Sequence, residues 1–84
     1  MEEPELMKDK YKGYYQEIGE RIIFYRNRRG MTQQELAIQI NCSTEYLDQI
    51  ENYDVNSNFS WSLDLLFAIS DALEINVLIF LSCL

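Results

Sequence analysis

TQQELAIQINCSTEYLDQIEN, residues 32–52, holds two short amphipathic helices and the corner between them. Thr32 stands three residues before Glu35, the spacing of a capping box, in which each side chain satisfies a backbone N–H that a helix start leaves unpaired. Leu36, Ala37 and Ile40 give that helix one apolar face. Asn41 ends it, because asparagine tolerates the left-handed conformation that a tight corner needs. Cys42 then turns inward, and Ser43 is a good N-cap for the next helix. Its inward stripe is Leu47 and Ile50, and its outward residues include Thr44, Glu45, Tyr46, Asp48 and Gln49. Two helices meeting at a three-residue corner read as a helix-turn-helix.

The stretch resembles the bihelical unit of the lambda-repressor and Cro-like (XRE) DNA-binding proteins, through its Thr-Gln start, its Glu-Leu-Ala and its closing Ile-Glu-Asn. Upstream, Ile18-Gly19-Glu20-Arg21-Ile22, Tyr25-Arg26 and Gly30-Met31-Thr32 are similar to the family's first helix and the turn after it. Downstream, Leu66 to Ile75 is similar to its fourth helix. The resemblance runs from about Ile18 to Leu81. It implies an all-α, five-helix, lambda-repressor-like DNA-binding domain with the helix-turn-helix at the second and third helices.

The chain has 84 residues and a formal net charge of −7. That length fits one small domain with a modest core, for which dimerisation would add stability. The N-terminus MEEPELMKDK is acidic and has no apolar signal core. The long apolar run from Ile75 to Leu84 falls short of the roughly 20 residues that span a bilayer. A cytoplasmic protein without membrane contact is expected. Cys42 and Cys83 lack CxxC spacing and read as inert thiols, and with no His in the chain both zinc binding and His-based catalysis lose their usual residues. Neither an enzyme nor a cofactor or metal site is expected. The basic residues all lie between Lys8 and Arg29, and from Met31 onward the chain carries acids but no Lys or Arg. Such a chain repels DNA at long range unless its arginines are focused on one face.

Residues 1–10 read either as a solvated acidic tail or as an extension of the first helix, with 11–84 as the helix-turn-helix domain. Met7, Tyr11, Tyr14, Ile18, Ile22 and Tyr25 follow a helical period, which favours extension. Gly13 and Gly19 each weaken that helix by roughly 1 kcal/mol relative to Ala, and Gly19 alternatively permits close packing. After the corner, Tyr53 takes the place of a glycine common in the family, and the polar loop 53–59 has turn chemistry but no basic residue. Ser62 caps a fourth helix whose Leu63, Leu66, Ile69 and Leu73 seal the core. Trp61 either covers the core edge or faces a partner. Asn76 caps a fifth helix, Val77-Leu78-Ile79-Phe80-Leu81, that is apolar all round. Its surplus, Val77, Leu78, Phe80 and Leu81, reads most simply as a homodimer interface, and an exposed junction with another domain would look the same.

The family resemblance also implies roles. Gln33 contacts backbone phosphate and braces the recognition helix, while Thr44, Glu45, Tyr46 and Gln49 face bases. Gln49 suits adenine N6 and N7, and Glu45 suits cytosine N4. Asn52 can donate to a phosphate. Arg26 pairs with Glu51, tying the first helix to the third. Arg28 and Arg29 complement the dipole of a helix C-terminus. With Arg21 they are the nearby cations able to touch phosphate. Together these point to a sequence-specific transcriptional regulator that binds double-stranded DNA, an operator, as a dimer. The acidic balance leaves a second class open: a protein-interaction module of the same fold that binds a regulator, a toxin or a related partner.

Overall fold

The structure, a computed structural model, describes residues 9–57 and 59–82. The acidic segment before Asp9, Met7 of the apolar period, Asn58 and Cys83 lie outside the described residues. Within the described residues five helices follow one another: α1 (Asp9–Arg28), α2 (Gln33–Gln39), α3 (Thr44–Glu51), α4 (Leu63–Leu73) and α5 (Val77–Leu81). Among the described residues there is no strand. No helix there is long and apolar enough to cross a membrane, and no group of His, Cys, Asp and Glu is arranged to hold a metal.

Hydroxyl and amide side chains start α2 to α5. Thr32 Oγ1 accepts from Glu35 N at 3.0 Å and Glu35 Oε1 accepts from Thr32 N at 2.8 Å, so the capping box opening α2 is complete. Ser43, Ser62 and Asn76 cap α3, α4 and α5. One device ends three of them. At Gly30 (φ 70°), Asn41 (φ 59°) and Glu74 (φ 56°) the chain turns left-handed. The following N–H reaches back five residues, Met31 to Arg26 O, Cys42 to Ala37 O and Ile75 to Ser70 O, at 3.1, 3.0 and 2.9 Å. These are Schellman closures, which satisfy carbonyls that a helix end leaves free.

The core gathers one stripe from each helix: Ile18 and Ile22; Leu36, Ala37 and Ile40; Leu47 and Ile50; Leu66, Ile69 and Leu73; and Phe80. Gly19 sits where α1 crosses the end of α3. A Cβ there would collide with the Ile50 carbonyl oxygen and lie 2.9 Å from that of Glu51, so only glycine lets the two backbones approach this closely. Trp61 and Tyr53 are both buried, and Tyr15 packs on both, at centroid distances of 5.8 and 5.5 Å. Trp61 therefore covers the core rather than facing a partner.

Two apolar expectations need correction. Leu63 opens α4 at 53 % exposure, one turn short of the core that Leu66, Ile69 and Leu73 fill. In α5, Phe80 is fully buried and packs edge-on against Tyr25 at 5.8 Å, so it belongs to its own chain's core and not to a dimer interface. Val77 and Leu81 are half-buried against that core. The exposed apolar residues of α5 are Leu78 and Ile79.

Candidate nucleic-acid interface

The inner face of the helix-turn-helix is fully committed to the core. Leu36 and Ala37 of α2 and Leu47 and Ile50 of α3 lie in the core, which fixes the rotation of both helices and turns their polar residues outward. Glu45, Gln49 and Asn52 are exposed, and Thr44 at the start of α3 is half-buried. Tyr46 departs from the outward set. Its half-buried ring packs edge-on against Phe59 at 5.4 Å, tying α3 to the following loop.

Below this face lies an ion pair. Arg26 Nε and Nη2 donate to the two carboxylate oxygens of Glu51 at 2.7 and 3.0 Å, with 1 % of the Glu51 side chain exposed. Arg26 Nη1 also donates to Met31 O at 2.9 Å. The bidentate fork matches carboxylate geometry, so one arginine fixes α1, the α1–α2 turn and the end of α3 together. Gln33 joins from α2, donating through Nε2 to Glu51 Oε1 at 3.1 Å and to Asp48 Oδ1 at 3.2 Å. Asn52 Nδ2 donates to the same Asp48 oxygen at 2.9 Å. Gln33, Asp48, Glu51 and Asn52 thus form one connected polar cluster beside the outer face of α3. Asp48 has no assigned part in the sequence reading beyond facing outward. Its place four residues before Asn52 is the signal that could have found it.

The cations are mostly engaged elsewhere. Arg21, expected near phosphate, donates to Ile79 O and Ser82 Oγ at 2.8 and 2.6 Å and holds the C-terminal end of α5. Arg29 donates to Leu73 O at 2.7 Å and pairs with Glu74 at 2.8 Å, holding the end of α4. Those contacts bind them to the scaffold. Arg28 is exposed and makes no hydrogen bond or ion pair within the described residues. On α2 and α3 the exposed charges are Glu35, Glu45 and Asp48, with no cation on either helix. The Glu35 carboxyl is held below its usual range by the hydrogen bonds from Thr32 and stays charged. Burial pushes the Cys42 thiol up, away from the reactive thiolate.

No family model matches the chain, and none of the curated proteins does. Among solved structures it is similar to the master regulator for biofilm formation SinR, determined by crystallography in complex with DNA. The two are 33 % identical with a TM-score of 0.66, over 76 % of this chain and 97 % of that one.

Proposed function

The chain belongs to the lambda-repressor-like (XRE) family of helix-turn-helix domains, and from that premise we propose that it is a sequence-specific DNA-binding transcriptional regulator acting as a dimer on an operator. The likeness to a regulator seen on DNA, extending over nearly all of that protein's chain, is the observation that carries the reading. In it α3 lies in the major groove, with half-sites about one helical turn, ~34 Å, apart. Gln49 reads adenine, Glu45 accepts from cytosine, and Thr44 contacts a thymine methyl or a phosphate. Tyr46 contributes its hydroxyl edge while its ring braces the loop. Gln33, Asn52 and Arg28 meet the backbone, and Arg29 serves mainly as scaffold. Leu78 and Ile79, exposed beside the half-buried Val77 and Leu81, form the centre of the dimer contact. The functional domain spans residues 11–84, and the start of α1 at Asp9 supports reading the end of segment 1–10 as an extension of the first helix.

Selection from a random duplex library at low salt, followed by anisotropy titration, tests the proposal. One palindromic sequence should be enriched, and Gln49→Ala should relax its base preference. A second reading draws support from the acidic α2–α3 face: an interaction module that binds a protein partner and little DNA. No enriched duplex, together with binding of a basic protein partner that is lost on Glu45→Ala, would favour it.

A further inference from the structure

Two side chains assigned to phosphate, Gln33 and Asn52, are already occupied in the free domain. The Gln33 amide has two hydrogens, and its contacts to Asp48 and Glu51 use both. Asn52 gives one of its own to Asp48. A single carboxylate oxygen, Asp48 Oδ1, thereby collects donors from the start of α2 and the end of α3. No arginine or lysine pairs with Asp48 among the described residues, since Arg26 is bound to Glu51. An oxygen with that charge and those two donors has the chemistry of a DNA phosphate oxygen.

We propose that Asp48 is an internal stand-in for DNA phosphate, which holds Gln33 and Asn52 in the free domain and must be displaced before either reaches a duplex backbone. The proposal rests on the DNA-binding reading and adds a restraint to it. Displacement weakens every duplex alike, because phosphate carries no sequence information. Repulsion between the carboxylate and the incoming backbone acts in the same direction. Base contacts by Gln49 and Glu45 are untouched. Overall affinity therefore falls without any loss of discrimination, and occupancy depends more heavily on correct bases.

The test uses the full chain with a selected duplex and a scrambled one, titrated by anisotropy at fixed salt. Asp48→Ala removes the stand-in. Asp71→Ala, which changes an exposed acid of α4 whose side chain makes no hydrogen bond or ion pair among the described residues, removes the same charge elsewhere. Asp48→Ala should tighten both duplexes by about ten-fold more than Asp71→Ala does, a gain that corresponds to one or two released hydrogen bonds. That gain should shrink when Gln33 and Asn52 are also alanine. Binding seen only in Asp48→Ala would support the proposal if it is lost when Gln33 and Asn52 are also alanine, and would overturn it if it is kept. Equal effects of the two single changes, or a full gain without Gln33 and Asn52, would overturn the stand-in and leave the DNA reading in place. If neither the unaltered protein nor Asp48→Ala binds any duplex, the DNA reading falls and takes the stand-in with it.

Discussion

Gly19 and Gly13 lie six positions apart on α1 and should respond in opposite directions to the same substitution. At Gly19 the added methyl meets backbone oxygens of Ile50 and Glu51, which cannot rotate away, whereas at Gly13 it meets nothing within 4 Å. Gly19→Ala should therefore destabilise the fold by about 1–3 kcal/mol, while Gly13→Ala should stabilise it by up to about 1 kcal/mol. Urea midpoints of the two variants provide the check. A neutral Gly19→Ala would mean that α1 and α3 slide apart freely. The Arg26–Glu51 pair makes a second residue-scale prediction. Removing either partner strands a largely buried charge and should cost about 3 kcal/mol, while removing both should cost clearly less than the sum. A cycle of Arg26→Met and Glu51→Gln measures that coupling, and strict additivity would count against it.

Helix ends are where the elements differ most in quality. Glu74 closes α4 in a left-handed conformation that costs a residue with a Cβ roughly 1–2 kcal/mol, and its exposed ion pair with Arg29 returns little of that. Glu74→Gly should raise stability by about 1 kcal/mol, read as a higher denaturant midpoint. At α2 the expected change depends on pH. Folding depresses the Glu35 pKa, so its contribution is present above the usual glutamate range and is lost as pH falls through the folded value. Glu35→Gln should flatten that acid-side dependence. The capping box, the Asn41 corner and the Ser62 cap were legible in the sequence because each is written within a few neighbouring residues. Glu74 was not, since glutamate carries no local preference for a left-handed turn. Neither was the phase of α5, where apolar residues on every side leave nothing to distinguish buried Phe80 from exposed Leu78. Arg26 and Glu51 could be matched through the family, but Arg21 and Arg29 donate to backbone carbonyls 58 and 44 residues away, which no periodicity encodes.

At the scale of the whole molecule, the proposed DNA binding and self-association would draw on what the scaffold has left unused. With Arg21, Arg26 and Arg29 holding helices together, Arg28 is the one cation that the proposal assigns to phosphate, so a dimer would bring two. Neutral donors such as Gln33 release no counterions, so log affinity against log salt should fall with a slope of only about −2 for a dimer. A much steeper slope would show that other cations have left the fold to reach DNA. Sedimentation distinguishes the two roles within α5. Leu78→Asp changes a side chain 64 % exposed and should yield a folded monomer, whereas Phe80→Asp places a charge in the core and should unfold the chain. The packing around Trp61 has an optical consequence. It is the chain's single tryptophan, its indole N–H is buried with no hydrogen-bond partner among the described residues, and Tyr15 lies edge-on beside it. An indole so shielded from water should fluoresce at the blue end of its range and receive excitation energy from Tyr15 and Tyr53. The blue emission and the transfer from Tyr15 depend on α1 staying docked against the segment before α4, which gives the domain a built-in fluorescent gauge of its own folding that needs no dye.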